Sequence, residues 1–365
     1  MGIYSLKIQN FKSIRDSGDI RLKSMNVLIG PNGAGKSNFI SFFKLLNKLV
    51  QQQLQLYINQ NGRAGNILYF GLKKSSFLSG SITFDNDWQN QYDFKLIPDT
   101  ESNLIFQQEG SSVIDPKASI KARNFTYLNT FGHYESVLKN APKFRNEYLR
   151  THLASLRVFH FHDTSFTSKI KQPSNSTDYA FLQDDGGNLA AFLFRLQEAH
   201  HAHFNMIEKV VRSIAPFFDR FFLERDEINP HQIYLRWLEK GSDQLFNAHN
   251  LSDGTLRMIC LTTLLLQPTL PSTIIIDEPE LGLHPFAISK LADMLIMASD
   301  KTQIIISTQS VSLVNEFTPD DVIVVERKDN QTVFNRQSEA GLEEWLKDYS
   351  LGELWEKNVL GGRPK

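Results

Sequence analysis

A single cysteine, Cys260, stands among 365 residues, so an intramolecular disulfide is excluded, and so is a zinc site built on several thiolates. No apolar run approaches the roughly 18–20 residues that a membrane-spanning helix needs, so no membrane partner is expected. Neither sign of charge is in excess. The 39 lysines and arginines face 40 acidic residues, a net of −1, which leaves no global field to announce nucleic acid or a lipid surface. A local basic face would be invisible in such totals. The opening Met-Gly-Ile-Tyr-Ser-Leu-Lys lacks the basic-then-apolar layout of a signal peptide. Together with the lone cysteine, this makes the cytoplasm the expected location. Internal repeats, low-complexity tracts and sustained heptads are also missing. What is present, 41% hydrophobic and 22% charged residues, suits a globular protein with ample material for a core in one large domain or two modest ones.

Read along the chain, residues 3–9 alternate as a strand does, and 20–23 and 25–29 give two more, the last ending at Gly30. From Lys36 to about Gln53, Phe39, Ile40, Phe43, Leu46, Leu49 and Val50 recur at helical spacing. Short β-like runs at 66–70, 80–84, 92–97 and 103–107, split by turn residues, predict an antiparallel sheet. A helix is expected over 142–156, a strand over 157–161, and a long Ser/Thr/Asp/Gly-rich loop over 163–187. Residues 188–223 carry the strongest helical pattern, with Leu189, Phe192, Leu193, Leu196, Phe204, Ile207, Val210, Val211 and Ile214 on one face and a break or kink at Pro216. Residues 228–238 alternate as a strand would. A helix from about Thr255, a strand over 273–276, a helix from about Pro285 and strands over 303–306 and 321–326 then predict a parallel α/β sheet.

Chemistry concentrates at Gly30-Pro31-Asn32-Gly33-Ala34-Gly35-Lys36-Ser37, followed by Asn38. This fits the phosphate-loop pattern in full. Its glycines let backbone N–H groups turn inward around an anion, and the helix behind it points its positive end there. Lys36 suits the β- and γ-phosphates of ATP, and the Ser37 hydroxyl suits Mg²⁺. A second group for the metal is expected at the end of another buried strand, and Asp277 follows three isoleucines there. Glu278, one residue on, is placed to act as general base on water. Leu251-Ser252-Asp253-Gly254-Thr255-Leu256-Arg257 reads locally as a helix N-cap and equally as a second anion-binding end.

The order phosphate loop, Leu-Ser-Asp-Gly, Asp277-Glu278-Pro279-Glu280 resembles ABC-type ATPases of the SMC/RecF-like branch, among stand-alone bacterial AAA-type ATPases similar to the ATPase part of OLD proteins. Ser252, Asp253 and Gly254 correspond to the signature motif, in the LSDG rather than the LSGG form. Lys12 and Ser13 fall in the turn that lies near the nucleotide in that branch. The resemblance covers most of the chain and implies an α/β P-loop NTPase: an ABC-type ATPase head with an N-terminal mixed or antiparallel β lobe and an inserted helical lobe. As one ABC-type domain over 1–365, it would have a nucleotide-binding core with β lobe at 1–115 and 245–365 and a helical insertion at 116–244. It also implies ATP and Mg²⁺ as ligands and a homodimer or higher homo-oligomer, in which Ser252 and Gly254 of one copy close over ATP held by Lys36 and Ser37 of the other.

One position departs from the family pattern. Where a histidine often contacts the γ-phosphate, this chain has Gln309, which hydrogen-bonds but carries no proton charge. Hydrolysis is then slow or conditional on a partner. The branch's Q-loop glutamine is not assigned; Gln107, Gln108 and Gln172 are candidates. The cluster His160, His162 and Asp163 reads as a site near nucleotide or partner, or as a structural loop. His200, His201 and His203 invite a metal, but only 200 and 203 share a helix face and no third ligand is spaced for one, so a solvated face is the simpler reading. Basic runs at 140–150 and 169–171 are candidates for phosphate contact or ordinary solvated charge. The functional expectation is an ATP-hydrolysing switch that gates a partner or a DNA transaction, in phage defence or repair. Its rival is an ATP-bound scaffold holding an effector nuclease or toxin with little turnover.

Overall fold

The computed structural model describes residues 2–86, 89–113, 124–129, 131–141 and 145–362. Burial of Ile3, Leu6, Ile8 and Phe11, broken by a register shift between Ile3 and Ser5, marks the inner face of β1 (Ile3–Phe11), with β2 (Ile14–Asp16) and β3 (Ile20–Arg21) antiparallel to it. β4 (Met25–Ile29) is buried at every position, as a strand covered on both faces must be. It leads through the glycine loop into α1 (Lys36–Val50), followed by α2 (Leu54–Gln60) and α3 (Arg63–Ile67). β5 (Leu78–Phe84), β6 (Asn90–Pro98), β7 (Leu104–Val113) and β8 (Asn124–Asn129) extend the first sheet in the order β2-β1-β5-β6-β7-β8, every pairing antiparallel. α4 (Arg145–Ser155) comes next.

The middle of the chain holds β9 (Arg157–Phe159), β10 (Ser174–Asn175), α5 (Leu189–Ala199) and α6 (His201–Ile214). The strands β11 (Phe218–Phe222), β12 (Gln232–Ile233), β13 (Arg236–Glu239) and β14 (Leu245–Asn247) follow. Then come α7 (Asp253–Leu266), β15 (Thr273–Asp277) and α8 (Pro285–Ser299). The last stretch is β16 (Gln303–Thr308), α9 (Val311–Val314), β17 (Val322–Lys328), β18 (Gln331–Arg336), α10 (Glu339–Leu342) and α11 (Leu351–Glu356). A second sheet runs β18-β17-β4-β16-β15-β9, with β4 parallel to both β16 and β17.

Contacts divide the chain into two units, 1–158 with 271–275 and 302–365, and 159–270 with 276–301; β9 and β15 begin in the first and end in the second. In the first unit α1 is buried on more than one side: Phe42 and Leu45 are as hidden as Phe39 and Phe43. Phe42 meets Phe11 edge-on at 5.3 Å between ring centroids and stacks on Phe94 at 6.1 Å, while Phe39 packs on Phe334 at 5.2 Å. Each fully buried phenylalanine contributes about 1.5–3 kcal/mol, so the helix carrying the phosphate loop is anchored through its own apolar side chains. In the second unit α7 is buried from Leu256 to Leu265, apart from the half-buried Arg257, and takes in Cys260, whose thiol is pushed well up by burial. Among the described residues no helix is long and apolar enough to cross a membrane.

Several expected elements differ. Residues 66–70 form no strand: α3 ends at Ile67, and only Leu68 bridges to Phe11. The backbone there is committed elsewhere, with Lys12 N donating to Ile67 O and Tyr69 N to Asn10 O. The pattern over 188–223 is two helices parted at His200, whose φ of −139° and ψ of 52° are not helical, and its end is strand β11. The 228–238 run is interrupted into β12 and β13, and β18 was not expected. Residues 142–144 lie outside the described residues.

Candidate functional site

The phosphate loop is shaped by what a Cβ would strike. At Gly30 (φ 152°) it would lie 2.1 Å from Val325 O, and at Gly35 (φ 115°) 2.2 Å from Thr332 Oγ1, so glycine is required at both. Gly35 is the N-cap of α1 and supplies no side-chain cap, so the first-turn N–H groups face the loop without one. Lys36, only 5% exposed, folds back and donates from Nζ to Gly30 O at 2.6 Å and Pro31 O at 3.3 Å. A buried ammonium held on two loop carbonyls at the N-terminus of a helix is an environment that suits a polyphosphate. Asn32, Gly33 and Ser37 are exposed at its mouth.

A chain of hydrogen bonds steadies the loop from behind. Thr332 Oγ1 donates to Ala34 O at 2.8 Å, so Ser13 Oγ, 2.7 Å away, must donate to Thr332. Asn38 Nδ2 in turn donates to Ser13 Oγ at 2.7 Å. Lys12, with a left-handed φ of 49°, donates to Ser41 Oγ at 3.1 Å; burial first, then Lys44, holds its ammonium below the ordinary lysine range. Register pairs Thr308 with Ile29, which brings Gln309 level with Gly30 at the carboxyl ends of two parallel strands.

In the other unit, Asp277 ends β15 and Glu278 takes φ 44°, a left-handed conformation that a glutamate adopts only under constraint. His162 Nε2 lies 2.8 Å from Asp277 O; a carbonyl only accepts, so Nε2 carries the proton. Arg257 donates to Phe161 O, His162 O and Leu281 O at 3.2, 3.0 and 2.7 Å, stitching α7 to the segments after β9 and β15. Ser252 caps α7 by accepting from Thr255 N at 3.2 Å, and a Cβ on Gly254 would lie 2.6 Å from Gly282 O. Ser252 and Asp253 are exposed; Asp253 pairs with Lys171 at 3.4 Å.

The remaining candidates separate. Gln107 and Gln108 lie in β7, and Gln172 holds Phe166 O at 3.3 Å. Asp163 accepts from Ser165 N and Oγ, which lowers its pKa. His203 Nδ1 lies 2.8 Å from Leu266 O, and among the described residues no group of three His, Cys, Asp or Glu could hold a metal ion. Lys169 pairs with Asp185. Thr332 and the role of Arg257 escaped sequence reasoning: a lone threonine in an unexpected strand gives no local signal, and Arg257 stood only as the end of the Leu251–Arg257 segment, its three carbonyl partners lying far off in sequence.

A buried parallel strand, a left-handed glycine loop and an anchored helix, inside a mixed sheet, make this an α/β P-loop NTPase fold. The family model described as "AAA domain, putative AbiEii toxin, Type IV TA system" matches residues 25–315, and the chain belongs to that family. Among solved structures, the SmcHead bound to the C-winged helix domain of ScpA aligns at a TM-score of 0.59 and 15% identity, covering 95% of this chain and 100% of that one. The Pyrococcus furiosus Smc head with an extended coiled coil, bound to the C-terminal domain of ScpA, gives 0.57 and 13%, covering 95% and 99%. The Pyrococcus yayanosii Smc head with coiled coil and joint gives 0.56 and 11%, with 95% and 99% covered. These are likenesses of fold. A comparison with curated proteins finds no match.

Proposed function

We propose that this chain binds ATP through Gly30–Asn38 and hydrolyses it, as an SMC/RecF-like switch. The observation that carries the reading is Lys36, buried and folded over Gly30 O and Pro31 O at the head of α1. In this reading the loop N–H groups and Lys36 hold the phosphates. Ser37 and Asp277 offer the hard oxygen donors that Mg²⁺ prefers, and the ion would neutralise charge on the β- and γ-phosphates. Glu278 takes the proton from the attacking water, and Gln309 orients that water or the γ-phosphate. Lys12 and Ser13 border the nucleotide. The exposed Ser252 and Asp253, with Gly254, engage ATP held by a second copy, which makes an ATP-dependent homodimer. The switch gates an effector protein or a DNA transaction, in defence or repair, in the cytoplasm.

Phosphate release by the purified chain tests this. Turnover that disappears in Glu278→Gln while ATP still binds supports it; no ATP binding at all overturns it. Gln309, where a histidine is common, favours a second reading: an ATP-bound scaffold for a partner, marked by tight binding without turnover. Binding to linear DNA over a salt series, with and without ATP, tests nucleic-acid contact, and salt-insensitive absence of binding in both states removes it.

A further inference from the structure

Beside the phosphate loop, within the same unit, lies a cavity of about 600 Å³ lined by Lys12, Asn38, Asn66, Leu68, Phe70 and Arg327 among others. That volume accommodates a nucleoside. Ser13 also lines it, and a Cβ on Gly35 would lie only 2.8 Å from Ser13 Oγ, so one residue borders both the cavity and the phosphate loop. Phe70 is the unexplained residue here. It is 54% exposed, although large apolar rings usually find cover, and its φ is 52°, a conformation that glycine or asparagine takes far more easily.

Neighbours hold the ring in that pose. Tyr69 meets it edge-on at 4.7 Å, and the Tyr69 hydroxyl donates to Asn330 O at 3.3 Å. Ser75 Oγ donates to Tyr69 O at 2.6 Å, and Gly71 N to Leu68 O at 3.0 Å closes the turn. A strained turn, fastened on both sides, that places an exposed aromatic ring in the lining of an open cavity with amide and cationic groups around it suits a flat heteroaromatic ring.

We infer that Phe70 is the stacking platform for the base of the bound nucleotide, with Asn66 at the base edge and Lys12 and Arg327 beside the sugar and phosphates. This rests on the phosphate-loop reading above and adds the part of the ligand that the loop does not touch. Stacking on an aromatic side chain is lost on truncation at a cost of roughly 5- to 150-fold in affinity.

The test compares ATP with inorganic tripolyphosphate, each with Mg²⁺, by calorimetry on the full chain, on Phe70→Asn and on Lys36→Ala. Phe70→Asn, which suits the left-handed backbone, keeps or raises the melting temperature. It is expected to weaken ATP by that factor while leaving tripolyphosphate unchanged; Phe70→Tyr restores ATP. Equal losses for both ligands, or none, overturn the stacking role. ATP binding lost in Lys36→Ala but kept in Phe70→Asn sinks this inference alone, whereas a wild-type chain that binds neither ligand sinks the phosphate reading with it.

Discussion

Thr332 in β18 donates its hydroxyl to the Ala34 carbonyl at 2.8 Å, tying the last strand of the second sheet to the phosphate loop almost 300 positions earlier. The bond is buried, and Ser13 and Asn38 continue it into the β1–β2 turn and α1. Loop shape is therefore set partly by a strand that carries no motif.

Replacing Thr332 by valine keeps the volume and removes the hydroxyl. The Ala34 carbonyl loses its side-chain donor, at a cost of about 1–3 kcal/mol in urea unfolding. Nucleotide affinity falls as well, and Thr332→Ser recovers most of both. Equal nucleotide affinity in the valine and wild-type chains would show that the network serves stability alone.

Glu278 is strained at φ 44°. Glu278→Asn, whose side chain tolerates that conformation, is expected to relieve about 1 kcal/mol and raise the melting temperature by a few degrees while abolishing turnover. A variant that melts higher and also retains turnover contradicts the assignment of Glu278 as base.

Arg257 satisfies three carbonyls from two segments. Arg257→Lys cannot reach all three with one ammonium, so the unit containing α7 loses about 1.5–3 kcal/mol. Hydrogen exchange should rise after β9 and around Leu281, with the β1–β7 sheet unaffected; a uniform rise across the chain would locate the effect elsewhere.

High pH provides an independent probe. Burial pushes the Tyr57 hydroxyl up to about 12, and Tyr92 well above its ordinary range through burial and then the charge of Glu109. An unfolded tyrosine releases its proton near pH 10, so above that the unfolded state binds fewer protons than the folded one and stability falls with rising pH. The Tyr57 contribution is present in full below about pH 10 and is lost between about 10 and 12, amounting to roughly 2–3 kcal/mol. Tyr57→Phe flattens that part of the curve; an unchanged slope would assign the loss to other groups.

The fold and the motif positions were legible wherever physics is local. Gly30 to Ser37 announced a phosphate-loop turn before a helix, three isoleucines announced a buried strand before Asp277, alternation announced β1, and short β-like runs split by turn residues announced β5, β6 and β7. The misses share a cause. Residues 66–70 have the composition of a strand, but their N–H and C=O groups are claimed by Asn10 and Lys12, far away in sequence. The periodicity over 188–214 survives a break at His200, because two consecutive helices can present faces that look continuous in one dimension. Thr332, Arg257 and Phe70 act through partners that only the tertiary structure supplies.

Cys260 lies fully hidden in α7, its thiol reluctant to ionise. The wild-type chain is therefore nearly silent to thiol-reactive dyes and spin labels under native conditions. A cysteine introduced at exposed Ile228, which has no part in the proposed nucleotide site, becomes the one labelled position without any background substitution, so fluorescence measurements can test the proposed nucleotide-driven association on an otherwise native protein.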